Sequence, residues 1–182
     1  MKKIICSLIL SSLLISCTSL KSVPPWQAAK KLETQWYKVQ IGDVIIKNKG
    51  ISPLEWYGHV GVVVDQDNVG DFPLPFLGYF ETPYEDWLNV NTRKVVLLRY
   101  KNFTKEFEKQ FLKNIEKMRK SKYFVTLNKE SLDYTYCSKY IWGLFNETSK
   151  DLGYGELDLD RDGGLMVFPY DFFEVKNLEY VK

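Results

Sequence analysis

Gly58-His59-Val60-Gly61-Val62-Val63-Val64 is the stretch on which the reading of this chain turns. It is rich in valine, whose branched side chain favours a strand. Period-two geometry puts His59, Gly61 and Val63 on one face. Gly61 leaves space on that face, as a close approach by another group would require. His59 is the only histidine in the chain. A lone histidine near a strand end is more often structural than chemical, so a chemical reading needs a partner.

Outward from this strand, the pattern predicts an α+β fold. Upstream, Trp26 to Lys38 reads as a helix behind Pro24-Pro25. Gly42-Asp43 marks a turn into a strand at Val44–Ile46, and 47–57 reads as a loop. Downstream, 65–75 reads as turn-like, followed by strands at Leu77–Thr82 and Lys94–Tyr100. Phe107, Phe111, Ile115 and Met118 recur at helical spacing and predict an amphipathic helix over 103–119. A third helix is expected over 138–151 and a last short strand near 178–181. This order fits helices packed around a small, mostly antiparallel sheet.

The first residues read differently. Met1-Lys2-Lys3 is a positive start, and Ile4 to Ile15 is apolar apart from serines and Cys6. That run is too short to span a bilayer and suits the core of an export signal. It ends in Leu14-Ile15-Ser16-Cys17, which resembles a bacterial lipobox. The resemblance implies cleavage before Cys17, acylation of its thiol, and a protein anchored by lipid to the cell envelope. The other reading is an ordinary secretory signal with an incidental cysteine. The expected organisation is a signal over 1–16, a lipidated tether over 17–25 and one domain over 26–182, acting as a monomer. Net charge is only +2, with 25 basic and 23 acidic residues interspersed, so nucleic acid is not an expected partner.

Three cysteines are present. Cys6 leaves with the signal and Cys17 takes the lipid, so Cys137 remains as the one free thiol of the mature chain. It stands at the expected start of the 138–151 helix. Unpaired N–H groups there stabilise a thiolate and can hold an oxyanion. An inert, buried cysteine is the alternative. Taken together, Cys137 and His59 supply a nucleophile and its base. Glu81, on the strand expected beside that of His59, is the candidate to orient the imidazole, or else an exposed edge carboxylate.

Four motifs in order then carry a family resemblance. They are Gly42-Asp43-Val44-Ile45-Ile46, His59-Val60-Gly61-Val62, Phe80-Glu81-Thr82-Pro83 and Tyr136-Cys137-Ser138-Lys139-Tyr140-Ile141-Trp142. The chain resembles the circularly permuted, papain-like branch of the NlpC-type cysteine peptidase superfamily. YiiX-like and lecithin:retinol acyltransferase-like proteins belong to that branch. Val167-Phe168-Pro169-Tyr170-Asp171 is similar to its C-terminal segment. The resemblance implies a permuted papain-like fold with Cys137 as nucleophile at a helix N-terminus, His59 as base and Glu81 as orienting residue. It implies cleavage of an amide or ester bond, with no cofactor. An amide in a peptide or in wall peptidoglycan is the first expectation. A lipid-directed acyltransferase or amidase, and a non-catalytic envelope-binding module, are the alternatives. Tyr57 and Tyr136 are candidate oxyanion donors. Aromatic residues around the motifs can line an apolar cleft or simply fill the core.

One further pattern is Asp158-Leu159-Asp160-Arg161-Asp162-Gly163, which matches the first half of a calcium loop. Pro169 stands where the bidentate glutamate should be, so a solvated acidic loop is expected instead. One histidine and one free cysteine cannot supply an ordinary zinc site, and no metal is expected.

Overall fold

The computed structural model describes residues 20–89 and 93–182. The expected signal segment and Cys17 lie outside the described residues. The strands are β1 (Gln27–Ala28), β2 (Val44–Lys47), β3 (His59–Val63), β4 (Asn68–Asp71), β5 (Phe80–Pro83), β6 (Lys94–Tyr100), β7 (Lys122–Tyr123), β8 (Tyr134–Thr135) and β9 (Leu178–Tyr180). The helices are α1 (Ala29–Thr34), α2 (Tyr84–Asn89), α3 (Lys105–Met118) and α4 (Cys137–Asp151). The fold is α+β. The main sheet runs β1-β6-β2-β3-β4-β5, with β9 also pairing with β6, and every pairing in it is antiparallel. The small pair β7-β8 is parallel.

Strand alternation divides the core between the two faces of this sheet. Val44, Ile46, Val60, Val62, Val96 and Leu98 face α3 and α4, where they meet Phe107, Phe111, Ile141 and Phe145. Ile45, Val63, Val69, Val95 and Leu97 face Ala29, Leu32, Trp87 and Leu88 from α1 and α2. Both faces are covered, so the valine-rich centre of the sheet is closed to water.

The helices follow their sequence signals. Thr104 caps α3 by accepting the Phe107 N–H at 3.2 Å, with Glu106 and Glu108 in the first turn. Phe107, Phe111, Ile115 and Met118 form its buried stripe, as the spacing predicts. Helix α4 is buried over most of its circumference. The region 26–38 differs from expectation. It is divided into the short β1, the short α1 and a 3₁₀ turn at Trp36–Lys38. Gln27 and Ala28 are taken into the sheet by pairing with Val95 and Lys94, so tertiary pairing overrides local helix propensity there.

Candidate thiol site

Position 58 must be glycine. Its φ is +82°, and a β-carbon there would lie 2.8 Å from the Lys47 carbonyl oxygen. This tight turn delivers the chain into β3 and places His59 at the first strand position, at the end of the sheet. Helix α4 packs against β3, and its first residue, Cys137, comes within hydrogen-bonding reach of the imidazole. The sheet end and the helix start together join two residues 78 positions apart in sequence.

The carboxylate that meets His59 is Asp71, not Glu81. His59 Nε2 lies 2.5 Å from Asp71 Oδ2, which leaves Nδ1 for the thiol. Trp87 Nε1 donates to the same oxygen at 2.8 Å. The sequence places the Glu81 strand beside the histidine strand, but β4 occupies that seat. Val62 pairs with Gly70, and Gly70 pairs with Glu81. By parity, Asp71 shares the face of His59, whereas Glu81 takes the opposite face. There Glu81 accepts from Tyr79 Oη at 2.9 Å and from Arg119 at 2.7 Å.

Gly61 explains how Trp87 reaches the site. A β-carbon at Gly61 would lie 2.9 Å from Trp87 Cζ2 and 2.6 Å from Val69 Cγ1. The space expected beside His59 is therefore filled by an indole that holds the aspartate. Lys47 lies opposite His59 in the β2-β3 register. Its ammonium sits 4.0 Å over the Trp87 ring and donates to the Trp87 carbonyl. Burial lowers the Lys47 pKa to about 8, against the opposing pull of Asp71. For His59, burial likewise opposes charge. Cys137 and Asp71 outweigh it and raise the imidazole pKa to about 10.

Cys137 is half-buried and lines a cleft of about 540 Å³. The helix begins here with Tyr136 as an extended N-cap, so its first N–H groups have no intrahelical acceptors. Ser138 Oγ donates to the Val167 carbonyl at 2.7 Å, tying the helix start to the opposite wall. Tyr57 and Tyr136 both line the cleft. The Tyr136 hydroxyl accepts the Val167 N–H at 3.1 Å, and burial pushes its pKa up to about 12. Tyr57 is stacked on Phe168 with ring centres 5.3 Å apart. Val125, Leu127, Leu165 and Met166 complete a largely apolar lining.

A separate acidic cluster joins Asp160, Asp162 and Asp171, whose carboxylate oxygens lie within 4.8 Å of one another. Asp171 thus enters from beyond the loop, while Asp158 accepts from Trp142 Nε1 instead. Burial and the neighbouring Asp162 and Asp160 charges raise the Asp171 pKa to about 7. Lys129 already pairs with Asp160 at 2.7 Å, and backbone N–H groups of Phe168 and Gly164 take oxygens of Asp171 and Asp162.

No family model matches the sequence, and no curated protein matches it. Among solved structures, the chain is similar to one described as metalloprotein YiiX from Escherichia coli O157:H7, DUF1105. The TM-score is 0.59 at 16% identity, over 80% of this chain and 97% of that one. The likeness is one of fold: this chain has a YiiX-like fold.

That description raises the question of a metal here. The Asp160, Asp162 and Asp171 carboxylates are close enough together to hold a cation, but the Lys129 ammonium already stands against Asp160. In the thiol site, the one imidazole is held by Asp71 and stands beside a single thiol, fewer ligands than an ordinary metal site takes. The thiol site does not fit a resident metal.

Proposed function

We propose that this protein is a thiol hydrolase of the permuted papain-like type, with Cys137 as nucleophile, His59 as acid and base, and Asp71 as the residue that orients His59. The observation that carries the proposal is the sole imidazole held between a helix-start thiol and a buried carboxylate at the wall of a cleft. Asp71 fixes the tautomer and plane of the ring and balances its positive charge. Cys137 Sγ attacks a carbonyl carbon, and the oxygen that becomes negative is stabilised by the N–H groups at the start of α4. The imidazolium gives its proton to the departing nitrogen or oxygen, and a thioester remains on Cys137. Water, deprotonated by His59, then releases the acid and restores the thiol–imidazole pair.

The apolar cleft lining favours an amide or ester whose carbonyl carries an apolar group over a polar wall peptide. The lipobox-like Leu14-Ile15-Ser16-Cys17 supports export and acylation of Cys17, and on that reading the chemistry belongs at the cell envelope.

The test is mass spectrometry of the protein incubated with p-nitrophenyl acyl esters and amides of increasing chain length. One acyl group on Cys137 is expected, absent in Cys137→Ala and slow to form in His59→Ala. Acylation elsewhere, or none, would exclude the thiol mechanism.

A further inference from the structure

We infer that the mouth of the Cys137 cleft is a membrane-docking surface whose occupant is the interfacial layer of a lipid bilayer. The inference deepens the proposed function and rests on acylation of Cys17.

The rim exposes apolar side chains that a water-facing cleft does not need. Val125, Leu127 and Leu165 line the cleft, and Leu165 is 70% exposed. The neighbouring loop adds Ile51, 96% exposed, together with Trp56 and Tyr57. Trp56 Nε1 donates to the Ile51 carbonyl at 3.0 Å, which ties the Trp56 ring to the backbone of Ile51. Aliphatic tips bordered by Trp and Tyr are the composition of a bilayer interface.

The start of the described chain packs on the segment that supplies one wall of the cleft. The Ser22 N–H donates to Glu174 Oε1 at 2.9 Å, and Arg161 reaches Glu174 Oε2 at 3.4 Å. Arg161 stands on the loop that carries Leu165 into the rim. Trp26 packs against Tyr170 and Phe173, directly after the cleft residues Phe168 and Pro169. Leu20 itself packs on the core. Only three residue steps separate Cys17 from Leu20, a reach of at most about 11 Å when extended. An acylated Cys17 therefore holds the 161–174 segment against the membrane rather than on a long leash. The interfacial layer is itself about 5–8 Å deep on each side of the hydrocarbon, so rim side chains on this flank reach it. Lys49 and Lys122 are offset by Glu130 and Asp133 on the rim loops and beside them, so insertion of apolar side chains carries the contact rather than attraction to anionic lipid.

The test uses the mature full chain in phosphatidylcholine vesicles whose acyl chains are brominated. Brominated lipid is expected to quench tryptophan fluorescence, and Trp56→Phe to remove most of the quenched signal. Ile51→Glu is expected to weaken the quenching, with far-UV circular dichroism unchanged. Quenching that is absent, or untouched by Trp56→Phe, would overturn the inference. A mature chain whose mass carries no acyl groups, or a rim buried in a dimer by sedimentation, would also overturn it. Alkylation of Cys137 by iodoacetamide in the same sample keeps the two readings apart. A reactive thiol without quenching sinks the docking surface alone. Quenching with an inert thiol upholds the docking surface and sinks the hydrolase.

Discussion

Asp71 Oδ2 is shared by His59 and Trp87, while Asp71 Oδ1 is buried without a hydrogen-bond partner. Such an oxygen costs about 1–3 kcal/mol, and its position beside the charged His59 and Lys47 is where that cost is offset. Asp71→Asn removes the negative charge that supports the imidazolium and lets an amide donor face Nε2. Acylation of Cys137 is expected to fall by about a hundredfold or more, as when a triad aspartate is replaced, whereas Glu81→Gln is expected to leave it unchanged. Rates of acyl transfer from a p-nitrophenyl ester compare the two, and an equal loss would reject the assignment of Asp71. Because His59 is the only histidine, its ring protons can be followed through a pH titration without ambiguity. The pKa is expected near 10 and should drop towards the ordinary value of about 6.5 in Cys137→Ser, where the thiol is gone. An ordinary pKa in the unmodified protein would contradict the ion pair.

The elements show why His59 and Cys137 were legible in sequence and Asp71 was not. A valine strand and a helix start announce themselves through periodicity and helix signals, and each carries one chemical residue at its end. Asp71 ends a four-residue strand whose sequence, Asn68-Val69-Gly70-Asp71, has the composition of a turn. Asp65 Oδ1 accepts N–H groups from Asp67 and Asn68 at 2.7 Å, closing a tight turn immediately before it. Pairing with β3 and β5, not local propensity, makes β4 a strand. The emptiness of Gly61 was readable, but its occupant Trp87 comes from α2, which the sequence did not announce. Gly61→Ala is expected to destabilise the fold by about 1–3 kcal/mol through overpacking and to loosen Trp87 from Asp71. Urea unfolding measures the first effect and the His59 titration the second. Lys139 is a parallel case inside α4. Its buried ammonium donates to the carbonyls of Asn128, Ser131 and Tyr134, fixing the loop that follows the cleft residues Val125 and Leu127.

At the scale of the molecule, two clusters of charge behave in opposite ways. In the acidic cluster the Asp171 carboxyl is held neutral to about pH 7, because burial and the charges of Asp162 and Asp160 oppose ionisation. An acid whose pKa is higher folded than unfolded binds its proton more tightly in the folded state. Its stabilisation is therefore present below about pH 4 and is lost as pH rises through 7. Asp171→Asn is expected to flatten the fall in melting temperature between these limits, because the amide oxygen can still accept the Phe168 N–H. An unchanged pH profile would remove Asp171 from that role. Calcium should leave the melting temperature unchanged, since binding to the folded state alone would raise it.

At the thiol site the balance is reversed: Cys137 and Asp71 outweigh burial and favour the charged form of His59. The most direct measurement is the pH dependence of Cys137 alkylation by iodoacetamide, in the protein and in His59→Ala. Rapid alkylation well below the free-thiol pKa of about 8.5, slowed by His59→Ala, is the predicted result. Slow alkylation that follows an ordinary thiol titration, unchanged when His59 is removed, would contradict a catalytic pair and leave Cys137 as a packing residue at the start of a helix.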